Sequence, residues 1–175
     1  MAKISNTAAY PSISNLDSAD YLVLTDAENE LKTKTATIEQ IQTLFGIDTL
    51  VAKVTVNTGS LLTLGNTSIT LIAAPGANKV IDIISISQYL DAGTTQFNFG
   101  NNLEVKIGAT TFGTLSSQSA NFATDLVSKI ETGGTTKVIE QNTAVTLETA
   151  ANPSQGNGTM YFNIFYRVLN VGASF

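Results

Sequence analysis

The sequence holds no cysteine, no histidine and only one arginine, Arg167. Without cysteine there is no disulfide and no thiolate chemistry. Without histidine there is no imidazole to act as a general base or a metal ligand. The usual hydrolytic triads and thiolate mechanisms are therefore excluded. Charge is sparse too: charged residues make up 13% of the chain, the net charge is −5 and the pI is near 4.5. The nine basic residues are scattered, which argues against nucleic acid as a partner, because phosphate neutralisation needs grouped Lys and Arg. No apolar run approaches the ~20 residues that span a bilayer as a helix, so no membrane partner is expected. The start, Met1-Ala2-Lys3-Ile4-Ser5, lacks the apolar core of a secretion signal. Synthesis in a cytoplasm is expected, with departure only as part of something larger.

What the chain does contain is 43% hydrophobic residues in a background of Thr, Asn, Ser and Gly. Thr favours strands, and Asn and Gly favour turns, so the balance predicts a β-rich protein. A length of 175 residues suits one domain with an appendage, or two small domains.

Residues 1–46 differ from the rest. An arm with Pro11 and many Ser, Asn and Ala shows no apolar period. Tyr21–Thr25 and Leu31–Thr35 read as two short strands joined by the Asp26-Ala27-Glu28-Asn29-Glu30 connection. Thr37 suits a helix N-cap, with Gln40 as its capping-box partner. Ile38, Ile41, Leu44 and Phe45 recur on one helical face, and Gly46 stands where a helix ends. Such a unit is too small to bury a core of its own. Its apolar positions, Ile13 and Leu16 in the arm and the Ile38, Ile41, Leu44, Phe45 face, are expected to be buried at an attachment or oligomer interface.

Residues 50–175 read as eight or so strands with frequent turns, which predicts an antiparallel β-sandwich, jelly-roll-like in kind. Lys79–Leu90 alternates, with Val80, Asp82, Ile84, Ile86 and Gln88 on one face and Ile81, Ile83, Ser85, Ser87 and Tyr89 on the other. In Thr159–Val168, Met160, Phe162, Ile164, Tyr166 and Val168 oppose Tyr161, Asn163, Phe165, Arg167 and Leu169. Its aromatic content predicts a central strand. Leu50–Val56, Ser68–Ala73, Thr136–Glu140 and Ala144–Glu148 read as further strands. Thr95–Phe99 and Leu103–Ile107 read as a short hairpin, and residues 109–120 as a loop. Asn121–Ile130 carries Phe122, Leu126 and Ile130 at helical spacing, with Asp125 and Lys129 as an i, i+4 pair.

Catalysis would have to rest on carboxylates, since glycosidases need only Asp or Glu. The candidates Asp82, Glu104, Asp125 and Glu140 sit on separate elements, and the expectation is no catalytic residue. Asp82, inside an apolar strand, is either a partnered buried carboxylate or one that faces an edge. Neither a calcium loop nor a phosphate-binding loop is present, so no metal and no cofactor are expected. Asn98, Asn101 and Asn102 are better explained by turns. Tyr89, Tyr161 and Tyr166 suit a core or an interface more than a sugar platform.

Ile13-Ser14-Asn15-Leu16, Asp20-Tyr21-Leu22-Val23-Leu24-Thr25-Asp26 and Lys32-Thr33-Lys34-Thr35-Ala36-Thr37-Ile38 together resemble a short module at the start of many tailed-phage virion proteins. The chain departs from that pattern at Asp17, where the module has Pro. The run Ala74-Pro75-Gly76-Ala77-Asn78-Lys79-Val80-Ile81 is similar to a β-rich domain of phage head-fibre, decoration and tail-fibre proteins. The resemblances cover about residues 4–110. They imply a virion structural protein, commonly a homotrimer, docked on capsid or tail through residues 1–46 with the domain of residues 50–175 projecting outward. The leading expectation is thus a non-enzymatic, capsid-attached head fibre or decoration protein. The alternative is a tail-fibre or head-borne adhesin that recognises a host surface glycan.

Overall fold

The computed structural model describes residues 21–26, 32–38, 40–41, 49–132 and 140–171. The chain divides into two compact units, Met1–Asp48 and Thr49–Phe175.

In the first unit, β1 (Tyr21–Asp26) and β2 (Lys32–Thr37) pair antiparallel, Tyr21 opposite Thr37 and Asp26 opposite Lys32. The Thr37 hydroxyl accepts the Gln40 amide at 3.1 Å, and Gln40 Oε1 accepts the Thr37 amide at 2.9 Å. This is the reciprocal capping box that the sequence predicts. Ile38, Gln40 and Ile41 follow it as helix, and Ile38 and Ile41 are half-buried. Ile13, Leu16, Leu44 and Phe45 lie outside the described residues.

The second unit runs β3 (Leu50–Val56), α1 (Thr58–Leu62), β4 (Ile69–Ile72), β5 (Lys79–Asp91), β6 (Leu103–Ile107), β7 (Thr110–Leu115), α2 (Ser117–Ala120), β8 (Leu126–Thr132), β9 (Val145–Thr149) and β10 (Thr159–Asn170). It is the expected antiparallel β-sandwich. One sheet has the order β3-β10-β5-β8 and the other β7-β6-β9-β4. They join through a short seam, Gly113 opposite Thr132 and Thr114 opposite Glu131.

The core lies between the sheets. β10 supplies Met160, Phe162 and Ile164, β5 supplies Ile83, Ile86 and Leu90, and β6 and β9 supply Leu103, Val105, Val145 and Leu147, all essentially inaccessible. Each large side chain so buried is worth about 1.5–3 kcal/mol. α1 adds Leu61 to this core, and its first turn is capped by Asn57, which accepts the Ser60 amide at 3.0 Å. Two polar residues are buried among the described residues: Thr149, whose hydroxyl donates to the Asn102 carbonyl at 3.2 Å, and Gln88, which is 0% exposed and whose amide has no hydrogen-bond partner among the described residues.

Four sequence expectations are corrected. The alternation of β5 does not run through. Phe165 pairs with Ser85 but Tyr166 with Ile83, so Ile84 is a bulged residue that stands 47% exposed. The extra residue shifts the phase, and Ile81 and Ile83 join the core side together with Ile86 and Leu90. Thr95–Phe99 is not a strand. Its backbone is satisfied by side chains: Asn157 Oδ1 accepts the Thr95 amide at 2.6 Å, and Asn121 clasps Phe99 by both N–H and C=O at 2.7 and 2.9 Å. Phe97 and Phe99 are thereby buried, their rings 5.5 Å apart.

The segment read as a loop instead holds β7 and α2, and β7 is the hairpin partner of β6. Residues 126–132 form strand β8 rather than helix, pairing Ile86 with Ile130 and Leu90 with Leu126. Phe122, which the helical stripe would bury, is 48% exposed.

Candidate functional site

The four carboxylates singled out from sequence are not brought together as a catalytic set. Asp82 is the partnered carboxylate. Arg167 lies opposite it across β5 and β10, and donates from Nη2 at 2.6 Å and Nε at 3.2 Å to the same oxygen, Oδ2. Glu104 and Glu148 stand directly opposite each other on β6 and β9. Like charges in that position repel, and Lys106 bridges them at 3.3 and 3.0 Å. The bond to Glu148, then the bond to Glu104, raises the Lys106 pKa above its ordinary value. Glu140 accepts the Thr110 hydroxyl at 3.4 Å. Asp125 accepts the Ala92 amide and the Tyr89 hydroxyl. Among the described residues no group of three His, Cys, Asp or Glu stands together to hold a metal.

The asparagines serve the loops. Asn98 accepts the amides of Ser154 and Gln155 at 2.8 and 3.2 Å and donates to Ser154 Oγ at 2.6 Å. Asn102 accepts the Ser117 amide at 3.0 Å and so anchors the start of α2.

A more distinctive surface is the outward face of β3-β10-β5-β8. Because side chains alternate along a strand, register sets outward residues in rows across the sheet. One row reads Thr55, Tyr161, Tyr89, Val127. The next reads Lys53, Asn163, Ser87, Lys129. In the first row, the rings of Tyr89 and Tyr161 lie 5.8 Å apart, 26° from parallel, and are 38% and 41% exposed beside Val127 at 73%. The sequence reading favoured interior or interface for these tyrosines; the structure sets two of them outward, side by side. Tyr166, next to the bulge, packs instead against the core as a half-buried residue.

Lys53, Ser87, Tyr89, Val127, Tyr161 and Asn163 line a shallow depression of about 230 Å³. Asn163 Oδ1 has no hydrogen-bond partner among the described residues. The charged groups are ordered about the tyrosines. Along β8 and its approach, Asp125, Val127 and Lys129 follow at alternate positions, so the tyrosine row lies between a carboxylate and the lysine row. Alternation in β5 and β10 is enough to set Tyr89 and Tyr161 on one face. Their adjacency depends on register, which no local signal gives.

The sequence matches no family model, and no match is found among curated proteins. Among solved structures, the fold is similar to a chain of the cyanophage Pam1 capsid asymmetric unit. The TM-score is 0.50 and the identity 19%, over 69% of this chain and 84% of that one. A chain of the acid-stable capsid of Helicobacter pylori bacteriophage KHP30 gives a TM-score of 0.43 and 16% identity, over 71% of this chain and 94% of that one. At such identities the Pam1 likeness is one of fold.

Proposed function

We propose that this chain is a non-enzymatic structural protein of a bacteriophage virion: a capsid-attached head fibre or decoration protein that assembles as a homotrimer. Residues 1–46 dock on the particle, and the β-sandwich of residues 50–175 projects outward. The observation that carries this reading is the fold likeness to a chain of the Pam1 capsid, which extends over 84% of that chain. The β1–β2 hairpin and the Thr37–Gln40 cap support it, since they fall on the segment that resembles the phage attachment module. The dispersal of the carboxylates among separate structural partners favours assembly over catalysis.

The half-buried Ile38 and Ile41, with Ile13, Leu16, Leu44 and Phe45, are the proposed docking residues. The test is deletion of residues 1–46 in the phage that carries the chain, followed by gel analysis of purified particles. The truncated protein is expected to be soluble and absent from particles. Normal incorporation would refute the docking role, and a monomer in light scattering of the full chain would refute the trimer. One observation favours the adhesin alternative, the exposed Tyr89–Tyr161 pair, and a ligand-binding outward face is compatible with a place on head or tail.

A further inference from the structure

We infer that the outward face of β3-β10-β5-β8 is a contact surface for a second copy of this chain. The two copies pack sheet on sheet about a twofold axis that runs along the Thr55-Tyr161-Tyr89-Val127 row. The two outer faces of the sandwich are unlike. Glu104, Lys106, Thr146 and Glu148 stand on the outer side of β6 and β9. Among the described residues, no exposed large apolar side chain falls on β4, β6, β7 or β9. On β3-β10-β5-β8, by contrast, Val51, Tyr161, Tyr89 and Val127 are exposed on one outward face. Apolar side chains gathered on one face mark a partner surface.

Charge decides which partner. Asp91 and Asp125, both exposed, are the next outward positions beyond Tyr89 and Val127. On the other side of the tyrosine row come Lys53, Asn163, Ser87 and Lys129. An apolar row thus runs between an acidic row and a basic one. A twofold axis along the middle row reverses the strand direction of the second sheet. It lays tyrosine row on tyrosine row, and the acidic row of each copy on the lysine row of the other. On β8 this sets Lys129 against Asp125 of the second copy, and symmetry repeats the pair. On β5 it sets Asp91 against Ser87. An axis along the strands would instead bring Lys53 onto Lys129, where like charges oppose contact.

Both members of the charge pair are ready for it. The ion pairs among the described residues engage Lys106 and Arg167, not Lys129. Asp125 is held in place by the Tyr89 hydroxyl and the Ala92 amide, so little ordering remains to be done on contact. The three rows cross four strands and span roughly 400 Å² in projection, at about 4.8 Å between strands and 3.3 Å per residue. That is below the ~800 Å² per partner of a standard interface. The pair is therefore weak in dilute solution and forms where copies are held close together. The shape of the face stands by itself; that copies stand close enough to use it rests on the virion reading above. A copy seated here covers the Tyr89–Tyr161 pair and so weighs against the adhesin alternative.

The chain has no cysteine, so one introduced thiol reports one position. Val127 is 73% exposed and lies on the proposed axis. Packed sheets stand about 10 Å apart, too far for a strain-free disulfide, so a short bis-maleimide is the probe. Val127→Cys in the full chain at high concentration is expected to link into pairs on a denaturing gel. Thr70→Cys, at an exposed position on β4, is expected to stay single. Adding Lys129→Glu to Val127→Cys is expected to slow linking about fivefold or more, since it sets carboxylate against Asp125. Raised salt should slow linking in the parent background too. Ring signals of Tyr89 and Tyr161 in the unaltered chain, followed by NMR on dilution, give a readout that no substitution can disturb, and they are expected to shift. Linking at Val127→Cys no faster than at Thr70→Cys overturns the proposal. So does indifference to Lys129→Glu, or tyrosine signals unmoved by dilution. Linking that stops at about two-thirds of the chains would show three copies meeting on this face and would overturn the twofold. Every chain tested keeps residues 1–46, so failure here leaves particle docking to its own deletion test.

Discussion

Asp125 accepts the Ala92 amide with one oxygen, at 3.1 Å, and the Tyr89 hydroxyl with the other, at 2.9 Å. One carboxylate thereby fixes an outward tyrosine to the turn that follows β5. The amide bond first, and the tyrosine bond second, hold the Asp125 pKa below the ordinary carboxylate range, and the same hydroxyl bond raises Tyr89. A carboxylate with a depressed folded pKa contributes stability above its unfolded value, roughly 3.9, and loses it as pH falls through the lower folded value. Asp125→Ala is therefore expected to be less stable than the parent near neutrality, with the two denaturation midpoints converging as the pH drops below about 4. In a pH titration followed at the Tyr89 ring by NMR, its phenolate transition, raised in the parent, should move down toward the ordinary value of about 10 in this variant.

The Asp82–Arg167 pair is asymmetric: the Arg167 side chain is 44% exposed and that of Asp82 14%. Both arginine donors reach one oxygen, and the exposed end is screened by water. Arg167→Ala is expected to cost about 1–2 kcal/mol. A double-mutant cycle with Asp82→Ala, read by urea denaturation, isolates the pair. A coupling indistinguishable from zero would show that the pair is only incidental to stability.

Gln88 is fully buried, opposite Phe162 on β10 and Ser128 on β8, with its amide unpartnered among the described residues. An unsatisfied buried polar group costs about 1–3 kcal/mol. Methionine has nearly the same shape without that cost. Gln88→Met should raise the denaturation midpoint without changing the slope, and a lowered midpoint would mean that the amide has a bonding partner after all.

Gly156 has φ +136°, and a Cβ placed there would lie 2.0 Å from Cδ1 of Phe97. Neither the backbone nor the ring leaves room for a side chain. Gly156→Ala is expected to destabilise by several kcal/mol, about as much as Phe162→Ala, for which loss of a fully buried ring costs roughly 3–5 kcal/mol. Thermal denaturation of both variants checks this. A Gly156→Ala protein as stable as the parent would refute the packing described for Phe97.

The parts legible in the sequence are those where local chemistry and tertiary context agree. β10 alternates cleanly from Met160 to Ile164 because one face meets the core and the other does not. The Thr37–Gln40 cap is local by nature. The misread parts have definite causes. Phe122, Leu126 and Ile130 are spaced by four, and four residues return to the same face of a strand as well as of a helix. Only pairing with β5 decides between them. In β7, Thr110, Thr111, Gly113 and Thr114 leave too few apolar positions to reveal a period. Phe97 and Phe99 alternate like strand residues, but Asn121 and Asn157 take the hydrogen bonds a partner strand would have made. In the candidate site, the tyrosines were visible as residue types, whereas their row with Lys53 and Asn163 is a product of register.

β10 is the last of the described strands in chain order, yet it lies between β3 and β5, with Leu50 opposite Tyr166 and Lys79 opposite Asn170. During synthesis, the early strands must wait for a partner made more than a hundred residues after β3 begins; the bond from the Thr58 hydroxyl to the Gly158 carbonyl already spans 100 positions. Such long closures slow folding. Until β10 arrives, two strand edges stay open to other nascent chains. Ribosomal pausing or premature termination ahead of Thr159 should therefore yield aggregate rather than a smaller folded domain. The yield of assembled protein then depends on how quickly Thr159–Asn170 is delivered to a slot that is already waiting.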